Sequence, residues 1–95
     1  MILVADDHPL VRGALKEAVI GLLPHAQVLE AGTFEEVAAH LSREGDLDLI
    51  LLDLTMPGAQ GFSGLMYLRA QYPGTPVIIV SGNEERITIR HAIDF

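Results

Sequence analysis

Four short apolar runs, at residues 2–5, 27–30, 48–52 and 77–80, alternate with longer segments whose apolar residues recur three or four positions apart. The short runs read as β-strands and the periodic segments as helices with one apolar face, a β-α-β-α rhythm. In the third run Asp48 is followed by Leu49, Ile50, Leu51 and Leu52, and the fourth is Val77, Ile78, Ile79 and Val80. Apolar residues at successive positions, rather than alternate ones, suit strands covered by helices on both faces of a parallel sheet. Strand-helix-strand units cross over right-handedly, so the pattern predicts a doubly wound α/β layer with ligands at the carboxyl ends of its strands.

The helices carry their own start and stop signals. The first opens at Pro9, whose missing N–H costs nothing at a helix start. It repeats Val11, Leu15, Ala18 and Leu22, and ends before Pro24. Thr33 and Glu36 have the spacing of a capping box, ahead of a short apolar face of Phe34, Val37, Ala38 and Leu41. A third helix is predicted over 62–72 through Leu65, Met66 and Leu68, stopped by Pro73 and Gly74. A fourth is predicted after Asn83, with Glu84 and Glu85 in its first turn, where acids suit the helix dipole.

The chain has 95 residues, within the range of one small domain and too few for two. Its composition is 49% apolar and 20% charged, and its mean hydropathy is +0.34, outside the range of intrinsic disorder. Thirteen acidic against six basic residues leave a formal charge of −7, the wrong sign for gripping a phosphate backbone or an anionic bilayer. The absence of cysteine excludes disulfide, thiolate-zinc and thiol chemistry. No apolar run approaches the roughly 20 residues of a membrane span, and no basic segment opens the chain, so a cytoplasmic location is expected.

Acids stand where the topology makes them matter. Asp6 and Asp7 directly follow the first strand, and Asp53 directly follows the third. With strand order 2-1-3-4 the first and third strands are neighbours, and the crevice at their ends is the topological switch point. Clustered carboxylates repel one another unless a cation is present, and a hard divalent ion such as Mg²⁺ takes carboxylate oxygens, a carbonyl and waters. Any one of these aspartates also reads as a turn former or helix cap, Asp7 ahead of Pro9 in particular.

Three separated segments carry a family resemblance: Val4-Ala5-Asp6-Asp7-His8-Pro9, then Leu51-Leu52-Asp53-Leu54-Thr55-Met56-Pro57-Gly58, then Ile79-Val80-Ser81-Gly82. Together they resemble the receiver domain of two-component response regulators, most closely the subgroup whose receiver precedes a helix-turn-helix DNA-binding domain. The resemblance implies a flavodoxin-like sheet of order 2-1-3-4 over residues 1–95, stopping before the family's fifth strand and fifth helix. It implies that Asp53 is the phosphoacceptor, taking a phosphoryl group from a sensor histidine kinase without being a turnover enzyme. Mg²⁺ would be held by Asp7 directly, by Asp6 largely through water, by Asp53 and by the backbone carbonyl of Thr55. Ser81 would be the hydroxyl that contacts the phosphoryl group and moves with the switch, with Thr55, Gly82 and Asn83 around its approach. DNA would be reached only through an output domain outside this sequence. The family's fifth-strand lysine has no counterpart, since the single lysine, Lys16, lies on the first helix.

Two other readings compete. A phosphohydrolase of the haloacid dehalogenase type needs a second Asp two residues after the nucleophile, and that position is Thr55. An interaction module without phosphate chemistry is the other. Strand four, lacking a fifth strand, would expose a β-branched edge, and the missing fifth helix would leave part of the sheet face uncovered, so a homodimer is expected, through strand-four pairing, exchange of the fourth helix or packing of exposed helical faces. Gly58, Gly61 and Gly64 match no phosphate-loop spacing, and His8, His25, His40 and His91 have no metal-ligand spacing on one helix, although His8 is near the acids.

Overall fold

The computed structural model describes residues 1–45, 47–58, 63–82 and 87–91; for 81–82 and 87–91 the description is of the backbone. The elements in order are β1 (Ile2–Ala5), α1 (Pro9–Leu22), β2 (Val28–Ala31), α2 (Phe34–Glu44), β3 (Leu49–Asp53), α3 (Ser63–Gln71), β4 (Val77–Gly82) and β5 (Ile87–His91). One sheet of order β2-β1-β3-β4-β5 contains all five strands. β1, β2, β3 and β4 run parallel in the expected 2-1-3-4 order, with Ala5 opposite Leu52 and Asp53 opposite Val80.

The sheet sorts its apolar side chains by the two-residue period of a strand. Leu3, Ala5, Ile50, Leu52, Val77 and Ile79 face α2 and α3, whose Val37, Leu41, Leu65 and Leu68 complete the larger core. Val4, Leu51 and Val80 face the other way, onto Leu15 of α1 and its partly buried neighbours Val11 and Val19. Burial of both faces explains the unbroken apolar runs of β1 and β3.

The described residues correct four details of the sequence reading. The buried stripe of α1 runs Val11, Leu15, Val19 at i, i+4, i+8, whereas Ala18 and Leu22 point to solvent, Leu22 being 81% exposed. Met66 of α3 is likewise 67% exposed. Asp48 lies just outside β3, exposed, and its carboxylate accepts from the terminal amine of Met1 at 2.7 Å.

The fourth correction is larger. Ile87–His91, expected within a helix, is a strand paired antiparallel to β4, Gly82 opposite Ile87 and Ile78 opposite His91. Ile87, Thr88 and Ile89 are β-branched, which favours strand over helix. Only four residues separate β4 from β5, enough for a hairpin but not for the crossover of a dozen or more that a parallel neighbour requires. The outer side of β4 is therefore paired, and the argument for a dimer through its bare edge loses its premise. The helix start expected at Asn83, Glu84 and Glu85 lies outside the described residues.

Candidate functional site

β1 and β3 end side by side, and their register puts the residues after Ala5 next to Asp53. Asp6 is 3% exposed and Asp53 5%, while Asp7 is partly exposed and His8 lies open to solvent. One ligand atom from each of Asp6, Asp7, His8 and Asp53 falls within a cluster whose members all lie within 4.8 Å of one another. The three sequence-predicted carboxylates thus converge, with a histidine at their rim.

The local chain holds them there without using them as helix caps. The N-cap of α1 is His8, which makes no side-chain cap bond, and Pro9 occupies the first turn. Asp6 Oδ1 accepts the backbone N–H of His8 at 2.8 Å, an Asx-type turn that reverses the chain from β1 into α1. The Asp6 N–H donates to the Ala31 carbonyl at 3.0 Å, and the Asp6 carbonyl accepts from Arg12 Nη1 at 2.9 Å. The capping role open to Asp7 is therefore unused. Asp7 Oδ1 is buried without a hydrogen bond; His8 Nδ1 lies 3.1 Å away but lacks hydrogen-bond alignment. The same ring nitrogen is 3.3 Å from Asp6 Oδ1.

Asp53 closes β3, and its Oδ1 accepts two bonds from Thr55, from the backbone N–H at 3.0 Å and from the hydroxyl at 2.9 Å. Burial pushes the Asp53 carboxyl above the ordinary aspartate range. The Thr55 bonds pull it back, and the charge of Asp6 and the contact with Asp7 raise it further. A carboxylate destabilised this way, beside a buried oxygen of Asp7 that lacks a donor, fits a hard cation with oxygen ligands. Next in the chain, Met56 is buried and the Pro57 carbonyl accepts the N–H of Phe34 at 3.0 Å. Gly58, at φ +95°, passes so close to α2 that a Cβ there would stand 3.3 Å from that of Phe34.

Ser81 and Gly82 lie in β4, Ser81 paired in register with Thr88; Asn83 falls outside the described residues. Sequence reasoning missed Arg12, half-buried on α1, whose place six residues after Asp6 is the only signal it gives. It also missed the Thr55 hydroxyl as a partner of Asp53.

Residues 2–95 match the family described as response regulator receiver domain. Among curated proteins, the "Glycerol metabolism activator" of Pseudomonas putida is 40% identical over 94 residues, which is 99% of this chain and 42% of that protein. The "Nitrate/nitrite response regulator protein NarL" of Escherichia coli K12 is 36% identical over 88 residues, 90% of this chain and 40% of that protein. The chain thus spans about two fifths of the length of these relatives. The isolated REC domain of RcsB from Salmonella enterica serovar Typhimurium, solved with the phosphomimetic BeF3⁻, superposes with a TM-score of 0.78. It is 23% identical, over 88% of this chain and 62% of that one. RcsB bound to promoter rprA gives 0.76, at 23% identity over 87% and 42%. With the parallel 2-1-3-4 sheet and the match over residues 2–95, the chain belongs to the response regulator receiver domain family.

Proposed function

We propose that this receiver domain accepts a phosphoryl group on Asp53 from a phosphohistidine of a sensor kinase, with Mg²⁺ at Asp6, Asp7, Asp53 and the Thr55 carbonyl. The observation that carries the reading is the convergence of three carboxylates, two of them buried, at the joined ends of β1 and β3. A carboxylate oxygen of Asp53 would form the new O–P bond as the P–N bond to the donor imidazole breaks, leaving an acyl phosphate and a neutral histidine. The Thr55 bonds to Asp53 Oδ1 fix the rotation of the carboxylate, which is 5% exposed. Asp6 and Asp7 set the acidic wall opposite. When bound, the cation neutralises charge that builds on the phosphoryl oxygens. Ser81, at the end of β4, is the proposed phosphate-contacting hydroxyl.

The output would be transcriptional, through a DNA-binding domain outside this sequence, as the names of the activator and nitrate regulator relatives suggest. Among the described residues no helix is long and apolar enough to cross a membrane. The test is mass spectrometry after treatment with acetyl phosphate and Mg²⁺. One added phosphoryl group, absent in Asp53→Asn, is expected; label on a serine or histidine overturns the assignment. Continuous release of phosphate with turnover would favour the phosphohydrolase reading instead.

A further inference from the structure

Arg12 reaches back from α1 over the turn that carries the acids. Its Nη1 donates to the backbone carbonyl of Asp6 at 2.9 Å, and its Nε donates to Glu30 Oε1 at 3.1 Å. Glu30, next to the end of β2, is gripped on its other oxygen by Lys16 at 3.3 Å. Chiefly the Arg12 bond, with Lys16 adding to it, outweighs desolvation and keeps the Glu30 carboxyl below its ordinary range, so the two cations favour its charged form. The guanidinium also runs past Gly32, where a Cβ would stand 3.2 Å from Nη1. A Cβ at position 32 would press Nη1 by a few tenths of an ångström and would also stand 3.4 Å from Glu36 Oε1.

The carbonyl that Arg12 holds belongs to the peptide joining Asp6 to Asp7. A bond to that oxygen restrains the tilt of the peptide plane, and that plane together with the φ of Asp7 fixes the direction in which the Asp7 side chain leaves the chain. The Asp6 N–H is tied to β2 and its carboxylate to the N–H of His8, so Arg12 completes the fixing of the turn from the α1 side.

We propose that Arg12 is a positioning residue for cation binding: anchored by Glu30, it clamps the Asp6–Asp7 peptide so that both carboxylates are aimed before the cation arrives. The inference rests on the Mg²⁺ reading above and adds to it a residue that need not touch the ion. Partners of this outer kind typically change metal affinity by about 10- to 100-fold when removed.

The sign of the effect separates positioning from charge. A guanidinium near the acids repels a divalent cation, so if Arg12 acted only through its charge, Arg12→Met would tighten binding. As a clamp, it weakens binding when lost. The experiment measures the Kd for Mg²⁺ by calorimetric titration of the metal-free protein, with thermal melting of each variant alongside. Arg12→Met is expected to raise Kd about tenfold. Arg12→Lys is expected to recover only part of this, because one ammonium lacks the fork that spans Glu30 and the Asp6 carbonyl. Gly32→Ala alters no charge and presses Nη1 by a few tenths of an ångström, so it should raise Kd by a smaller factor than Arg12→Met does, and it serves as the reading if Arg12→Met fails to fold. An unchanged or lower Kd in a folded Arg12→Met, or in Gly32→Ala if the former unfolds, overturns the proposal. Absence of Mg²⁺ binding by the unaltered protein would instead overturn the cation reading on which it stands.

Discussion

Thr55 donates twice to one oxygen of Asp53, from its backbone N–H at 3.0 Å and its hydroxyl at 2.9 Å. Both bonds favour the charged carboxylate, against burial, which disfavours it. The threonine is itself exposed, while its bond to Asp53 is partly buried. Thr55→Val keeps the backbone donor and removes the other. The Asp53 carboxyl should then titrate higher, read by carbon NMR of its side chain, and stability should fall by about 0.5–1.5 kcal/mol at neutral pH. An unmoved titration would show that the hydroxyl bond does not persist in solution.

Asp53 itself should make the metal-free domain less stable as pH rises. Its folded-state pKa lies above the ordinary 3.8, so between the two values the folded state binds more proton than the unfolded one. Stability therefore declines through that window and stays lower above it. Asp53→Asn removes the buried charge and should raise metal-free stability at pH 7 by on the order of 1 kcal/mol, or about 4–8 °C in Tm. Saturating Mg²⁺ should narrow the difference by stabilising the unaltered protein more. A lower Tm for the variant without metal would contradict the electrostatic account.

Glu30 has the opposite sign. Its pKa is lowered by Arg12 and Lys16, so the stability it contributes is fully present above its ordinary value of 4.5 and is lost as pH falls through the folded-state value. The group is largely exposed, and solvent screening holds the effect to about 1 kcal/mol or less. Urea unfolding of Glu30→Gln at pH 7 and in acid should show a deficit at pH 7 that closes on acidification.

Gly58 adopts a backbone that L side chains rarely take and leaves no room toward Phe34. Gly58→Ala should cost about 1–2 kcal/mol by denaturant unfolding and disturb the bond from Phe34 to Pro57. A neutral substitution would mean that the loop relaxes freely.

The two sides of α1 give a sharper contrast. Leu15→Ala empties a buried site between β1, β3 and β4 and should cost about 2–4 kcal/mol, whereas Leu22→Gln should change stability by less than about 0.5 kcal/mol. Equal costs would restore Leu22 to the packed face.

That contrast marks where the sequence was legible. Apolar residues in β1, β3 and β4 face covered sheet surfaces on both sides, so their runs identify central strands directly. In α1, Val11, Leu15 and Val19 compete with Leu15, Ala18 and Leu22 as possible stripes; both have helical spacing, and only docking onto Val4 and Leu51 selects the first. The convergence of Asp6, Asp7 and Asp53 followed from strand order, because strand ends are fixed by topology. The Arg12 clamp did not, since a long side chain crossing from a helix to a loop leaves no periodic trace. The strand at Ile87–His91 was hidden by Glu84 and Glu85, which suit a helix start, although Ile87, Thr88 and Ile89 prefer an extended backbone.

The β4–β5 ladder makes the outer side of β4 a contested position. Its N–H and C=O groups from Ile78 to Gly82 serve one neighbour at a time, and His91 through Ile87 now occupy them in antiparallel sense. A parallel fifth strand of the kind typical of the family would need those same groups. The hairpin and such a strand are therefore mutually exclusive tenants of one edge, and whichever segment arrives second must first evict the other.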